Sequence, residues 1–74
     1  GSAEHRIRAP MPGRVVVVQK QPGDPVAAGD VVLVIEAMKM ELALKAPRDG
    51  VMAELRAQAG DFVDGDAVLA TLEQ

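Results

Sequence analysis

Hydrophobic and polar residues alternate in short runs along this chain, and glycine, proline and aspartate cluster between the runs. Such a pattern is typical of the strands and turns of a β-sandwich or barrel, and no stretch has the period of an amphipathic helix. The sequence therefore predicts an all-β domain. The four valines of residues 15–18 fit a strand that is buried on both faces. Strands are predicted at residues 4–8, 14–20, a very short one at 26, 31–37, 40–45 and 67–73.

Two of the predicted strands, 31–37 and 40–45, are expected to form a hairpin whose turn is Met38-Lys39. A loop with an odd number of residues would place polar and apolar side chains on the same face, because a slip of one residue moves every side chain of a strand to the opposite face. A turn at Lys39-Met40 has the same parity, so this argument leaves both turns open. With the first turn, one face of the hairpin is wholly apolar and carries Val31, Leu33, Ile35, Ala37, Met40, Leu42 and Leu44.

The tip of this hairpin breaks two local rules. Two-residue turns favour Asn-Gly, Asp-Gly or Gly-X because their central residues need positive φ, and Met38-Lys39 offers none of these. The same register places Glu36 opposite Glu41, a like-charge pair that sheets avoid. Strain is common at functional sites, so the tip is the candidate site. The plain alternative is a solvated lysine on a tolerated turn.

The chain also repeats itself at a spacing of 37 residues, which predicts two similar halves, about 3–38 and 39–74. If a two-fold axis relates them, the termini lie side by side, in the place equivalent to the Lys39 turn but at the opposite end of the molecule. The matches are Ala9-Pro10 with Ala46-Pro47, Gly13 with Gly50, Gly23-Asp24 with Gly60-Asp61 and Val26 with Val63, and, after one residue is dropped, Gly29-Asp30 with Gly65-Asp66 and Val32-Leu33 with Val68-Leu69.

Two stretches carry a resemblance to a known family. Residues 36–40, Glu-Ala-Met-Lys-Met, resemble the biotin-attachment motif of the biotinyl domains of biotin-dependent carboxylases, and residues 9–13, Ala-Pro-Met-Pro-Gly, resemble a stretch near the start of those domains. The likeness runs from about Arg8 to Glu73 and is greatest to the C-terminal domain of propionyl-CoA or 3-methylcrotonyl-CoA carboxylase α subunits. It implies a flattened barrel of two four-stranded antiparallel sheets with quasi-two-fold symmetry. The short turn at residues 21–24 has no room for the inserted thumb of some bacterial acetyl-CoA carboxylase carriers.

The resemblance implies that biotin is joined to Lys39 by an amide, with Glu36, Ala37, Met38 and Met40 as its neighbours in the site. It implies a biotin protein ligase as the modifying enzyme, and biotin carboxylase and carboxyltransferase sites between which the carrier moves carboxyl groups. The domain is thus expected to be a carrier rather than an enzyme, monomeric in isolation, within a carboxylase of the ligase class. The expected setting is the bacterial cytoplasm or, alternatively, the mitochondrial matrix.

The neighbours of Lys39 have two interpretations each. Met40 is interpreted mainly as the residue that completes the apolar face of the hairpin, and Met38 as a flexible thioether that partners contact. Glu36 and Glu41 are either recognised by the ligase or form a tolerated repulsion at an exposed edge.

The amino-acid composition argues against several classes of function. The net charge of −3 and the single aromatic residue, Phe62, argue against nucleic-acid partners. No apolar run is long enough to span a membrane, and the absence of cysteine excludes disulfides and thiolate sites. No catalytic residue or metal site is expected: the one histidine, His5, is near a terminus. The aspartates Asp61, Asp64 and Asp66 fit turns, although together they could attract a cation weakly.

Gly1-Ser2 is interpreted as a cloning remnant, with the domain covering residues 3–74. Two alternatives to a biotin carrier stay open. A lipoyl carrier domain shares the fold and the hairpin lysine but usually has Asp-Lys-Ala at the tip. An unmodified lipoyl-like structural module would make Lys39 incidental.

Overall fold

A computed structural model describes residues 4–74, whose eight strands form two four-stranded antiparallel sheets. One sheet has the strand order β1-β8-β6-β3, and the other, which we call the hairpin sheet, has the order β5-β4-β2-β7. The predicted all-β fold of two four-stranded sheets is confirmed. The strands are β1 Arg6–Arg8, β2 Gly13–Val18, β3 Pro25–Val26, β4 Val31–Ala37, β5 Met40–Lys45, β6 Gly50–Leu55, β7 Phe62–Val63 and β8 Val68–Leu72.

The predicted remnant Gly1-Ser2, and residue 3 of the predicted domain, lie outside the described residues. Across residues 4–74 the chain forms no helix of the length and hydrophobicity that crossing a bilayer requires.

The hydrophobic core lies between the two sheets of a flattened molecule that measures 32 × 24 × 18 Å along its principal axes. Both sheets contribute aliphatic side chains, and the core also includes Ala9, Ala46, Ala57 and Ala70. The only aromatic side chain, Phe62, is 84% exposed and takes no part in this core. The largest fully buried side chains are Leu33, Ile35, Met52, Leu69, Leu72, Val15 and Val32.

The first strand starts later than predicted. Strand β1 begins at Arg6 rather than residue 4, because the Glu4 carboxylate accepts hydrogen bonds from the backbone N–H groups of His5 and Arg6 at 3.0 and 2.9 Å. The His5 N–H is thus taken by a local side-chain bond, and only His5 O remains paired with β8.

The prediction that the four valines are buried on both faces is wrong. Val15 is buried, whereas Val16 and Val17 are 40% and 39% exposed. The pairing of β2 with β4 shifts by one residue between Val15 and Val17, and such a β-bulge leaves an extra residue on one strand. Val16 and Val17 therefore both lie on the solvent side of the hairpin sheet.

A second irregularity changes the apolar face of the hairpin. The register of β4 against β5 shifts between Val31 and Leu33. As a result Val32 is buried beside Leu33, while Val31 is only half-buried. The expectation that Val31 and not Val32 faces the core is wrong for this reason.

The two sheets are related by the predicted quasi-two-fold symmetry. Strands β1, β8, β6 and β3 occupy the places of β5, β4, β2 and β7 in the other sheet. The pair Val17–Val34 corresponds to Glu54–Thr71, and each pair follows a bulge. Glu54 comes 37 residues after Val17, and Thr71 comes 37 residues after Val34. One offset therefore relates the strands of the two halves.

The sequence alignment that drops one residue is wrong by one position. The turn that ends with Asp30 N–H donating to Ala27 O at 2.9 Å matches the turn in which Ala67 N–H donates to Asp64 O at 3.2 Å. Gly29, with φ of 90°, therefore corresponds to Asp66, with φ of 67°, and not to Gly65. Matching identical residues could not reveal this, because the backbone needs a left-handed residue at this place and Asp tolerates that conformation.

The two ends of the described chain lie side by side, as predicted. Leu72 N–H donates to His5 O at 2.7 Å, and Arg6 pairs with Thr71. Under the quasi-two-fold symmetry this end is the counterpart of the Met38-Lys39 turn.

Two glycine substitutions distinguish these alignments. Gly29→Ala is expected to lower the free energy of unfolding by roughly 1–2 kcal/mol, because φ of 90° is costly for a residue with a Cβ. Gly65→Ala is expected to change it by less than about 0.5 kcal/mol, since the nearest atom to an added Cβ is Pro12 Cδ at 3.5 Å. Urea denaturation of both variants provides the comparison. Equal losses would contradict the assigned offset.

Candidate functional site

The candidate site is the tight turn that joins β4 to β5. Met38 and Lys39 occupy it with φ of 51° and 66°, and positive φ at both central residues is the mark of a type I′ turn. Neither residue is a glycine or an asparagine, so the predicted strain is present. The turn is confirmed at Met38-Lys39, because Ala37 pairs with Met40 and excludes the alternative at Lys39-Met40.

The Lys39 side chain is exposed at the end of the hairpin. Of the ion pairs formed by residues 4–74, none includes Lys39, whereas Lys20 lies 4.0 Å from Asp30. Lys45, the third lysine, ends strand β5. Lys39 is thus the one lysine held on a strained turn, with its amine open to an approaching partner.

The two methionines that flank Lys39 are both exposed. Met38 is 82% exposed, which fits a surface for partners. Met40 lies opposite the buried Ala37, on the apolar face as expected, but it is 57% exposed and adds little to the core. On this face the pair Ile35–Leu42 is the last that packs in the core, so Met40 extends beyond it.

The predicted like-charge pair is present, since Glu36 pairs with Glu41 across the hairpin. The neighbouring strand provides a counter-charge that the sequence analysis missed: Arg14 lies opposite Glu36 in β2, with Nη2 3.4 Å from Oε1. An exposed pair of this kind contributes about 1 kcal/mol or less. No local pattern could have identified Arg14, because its place depends on which strand lies beside β4.

The backbone beneath the turn is held by a close approach of two strands. Ala37 is buried, and a Cβ added to Gly13 would lie 2.6 Å from the Glu36 carbonyl oxygen and 3.1 Å from the Ala37 Cβ. Only glycine leaves β2 and β4 this close at that point. The sequence had marked Gly13 as the end of the 9–13 stretch and as the repeat counterpart of Gly50, and the structure gives it a contact with the site.

The remaining candidates lie apart from the turn. His5 is near the termini, with Nε2 3.2 Å from Gln74 Nε2. The Asp61 carboxylate accepts a hydrogen bond from the Gln58 N–H at 3.0 Å, which is a turn role. Among residues 4–74, His, Asp and Glu side chains nowhere gather in a group of three or more that could hold a metal ion.

Comparisons with known proteins place this arrangement among carboxylase domains. A family described as biotin-requiring enzyme matches residues 5–72. The chain is 46% identical over 67 residues to the human mitochondrial propionyl-CoA carboxylase alpha chain, covering 90% of this chain and 9% of that one. It is 42% identical over 67 residues to the biotin-dependent acyl-coenzyme A carboxylase alpha3 subunit of Mycobacterium leprae, covering 90% and 11%. The chain thus spans about a tenth of the length of these curated relatives.

Two solved structures share the fold. Urea carboxylase from Kluyveromyces lactis superposes with a TM-score of 0.88 and 29% identity, over 99% of this chain and 6% of that chain. The lipoyl domain of the 2-oxoglutarate dehydrogenase complex from Azotobacter vinelandii superposes with a TM-score of 0.81 and 30% identity, over 95% and 96%.

Gly13 is predicted to be essential to the position of the turn. Gly13→Ala is expected to lower the free energy of unfolding by roughly 1–3 kcal/mol, because the added Cβ overlaps the Glu36 carbonyl and forces the strands apart. Urea denaturation and amide hydrogen exchange of β4 and β5 measure the effect. Gly65→Ala is the control, and an equal effect in both variants would contradict this role.

The strain at the turn is predicted to be removable. Met38→Asn is expected to raise the free energy of unfolding by about 0.5–1 kcal/mol, because asparagine tolerates the left-handed conformation. Met40→Asn is the control, since Met40 lies in a strand, where asparagine is unfavourable. Thermal denaturation compares the two. A stabilisation by both variants, or by neither, would contradict the assignment of strain to Met38.

Proposed function

The chain belongs to the family of biotin-requiring enzymes and is a biotin carboxyl carrier domain with covalently attached biotin, and we propose that Lys39 is the residue that holds this cofactor. The observation that carries the proposal is the placement of Lys39 at the end of a strained two-residue turn, exposed and outside the ion pairs of the described chain.

The geometry fits the chemistry of attachment. An amide bond to biotin needs an accessible primary amine, and the type I′ turn presents one amine with its backbone fixed on both sides. A fixed turn reduces the ordering entropy that docking of a modifying enzyme must overcome. Glu36, Ala37, Met38 and Met40 then form the surface around the amine that this enzyme contacts.

The modifying enzyme in this proposal is a separate biotin protein ligase. The Lys39 Nζ attacks the carbonyl carbon of an activated biotin adenylate, a C–N bond forms, the bond to phosphate breaks and AMP leaves. Only a neutral amine carries the lone pair that this attack uses, so the ammonium form must first lose a proton. A base on the ligase therefore accepts the proton that Nζ gives up.

The parent protein is proposed to be an acyl-CoA carboxylase of the ligase class. When bound, biotin supplies the group that accepts a carboxyl at a biotin carboxylase site and releases it at a carboxyltransferase site. The domain contributes reach and recognition, and as a separate unit it is proposed to be monomeric. The relatives are mitochondrial or bacterial proteins, which supports a bacterial cytoplasmic or mitochondrial matrix setting.

The lipoyl alternative has less support. The lipoyl domain shares the fold, but the tip of this chain is Met-Lys-Met, and the relatives that match 90% of it are carboxylases. An unmodified module would not require the strained lysine turn.

The attachment residue is tested by intact-mass measurement after co-expression with a biotin ligase. One biotin per chain is expected for the natural sequence and for Lys45→Arg, and none for Lys39→Arg, because only Lys39 lies at the turn. A parallel co-expression with a lipoyl ligase is expected to add nothing.

Retention of biotin in Lys39→Arg would contradict the site. Lipoate in place of biotin would support the lipoyl alternative, and no modification by either ligase would support a structural module.

A further inference from the structure

The solvent side of the hairpin sheet carries a row of apolar side chains that the core does not use. Ala43 in β5 pairs with Val34 in β4, which pairs with Val17 in β2. Residues directly opposite one another project from the same face, so the row crosses three strands. The bulge adds Val16 to it, and Phe62 in β7 lies one row away, opposite Arg14. We call Val16, Val17, Val34, Ala43 and Phe62 the apolar strip.

The quasi-two-fold symmetry provides an internal comparison for this strip. The equivalent row of the other sheet is Arg6, Thr71 and Glu54, with the same pairing and the same bulge. The places of Val16 and Phe62 are taken by Ala53 and Pro25. The same backbone thus forms with polar side chains at three of these positions and with small side chains in place of Val16 and Phe62, so the fold does not require the apolar strip.

The exposed hydrophobic residues have a one-sided distribution. Within residues 4–74, the large ones are Val16, Val17, Met38, Met40 and Phe62, and all belong to the hairpin sheet or its turn. Exposed apolar side chains that gather on one face are typical of interaction sites. Ala43 is four residues beyond Lys39 in β5, about 13 Å along the strand. A partner on the strip therefore lies beside the attachment turn without covering it.

The size of the strip indicates the kind of contact. Phe62, at 84% exposure, provides the largest single share of the area, and an aromatic side chain buries about 150–250 Å². The strip as a whole is smaller than the roughly 800 Å² per partner of a stable complex. Such a contact is too weak for two free molecules but sufficient when a tether raises the effective concentration to about the millimolar range.

We propose that the apolar strip docks the domain on an apolar surface of the catalytic part of its own polypeptide. The relatives have about ten times the length of this chain, so the remainder of such a polypeptide is the tethered partner that is always available. Docking by the strip leaves the Lys39 turn free to deliver its cofactor and releases easily. This inference rests on the proposed carrier function.

The test uses the complete parent carboxylase with Val17→Thr and Phe62→Thr combined. Threonine keeps the β-branched shape of Val17, and both side chains are exposed, so folding is expected to persist. The steady-state carboxylation rate is expected to fall about tenfold, with the biotin content per chain unchanged. The matched control combines Glu54→Thr and Pro25→Thr, at the symmetry-related positions, and is expected to retain the rate within about twofold.

The biotin content distinguishes a failure of the proposed carrier function from a failure of the proposed docking role. Absence of biotin in the natural sequence would overturn the proposed function itself, whereas a biotinylated variant with an undiminished rate would overturn only the docking role. A loss of biotin in the strip variant alone would assign the strip to the ligase. A change in sedimentation of the parent enzyme would assign it to contacts between copies. Either result, or an equal loss of rate in the control, overturns the proposal.

Discussion

The pairing of Ala37 with Met40 fixes the geometry on which the rest of the site depends. It forces Met38 and Lys39 into the left-handed region, sets Glu36 against Glu41 and orients the lysine away from the core. The pairing is held from below by Gly13, which lets β2 approach the backbone of Glu36 and Ala37. The tip is strained locally, and the strain persists because the two long strands on either side determine the register.

The quasi-two-fold symmetry allows each position in one half to be compared with its equivalent in the other. Both halves have the same strand order, the same bulges and the same offset, yet one end carries the two ends of the described chain and the other carries Lys39. Where the fold alone decides, equivalent positions hold similar residues, as in the buried cores of β4 and β8. Where equivalent positions hold different residues, as Val17 and Glu54 do, the choice of residue reflects a requirement other than folding.

A carrier domain has two opposed requirements. Its attachment residue must be presented in a defined orientation, which favours a short rigid turn, and its contacts with successive partners must be brief. A strained turn on a hairpin and a small apolar strip satisfy both, because the first limits local freedom and the second limits affinity. Tethering to a longer polypeptide then compensates for the weak contact.

The sequence by itself determined most of the strands and the even length of the loop, because both follow from the alternation of side chains along adjoining segments. Parity left a turn at Lys39-Met40 open, and the pairing of Ala37 with Met40 places the turn at residues 38–39 and Glu36 opposite Glu41. Together with the family resemblance, the sequence also indicated Lys39 as the attachment residue that we propose. Only the tertiary structure decided that Val16 and Val17 are exposed, that Asp66 takes the place of Gly29 and that Arg14 lies beside Glu36. These features depend on bulges and on which distant strand lies alongside, and neither periodicity nor residue identity encodes such non-local pairing.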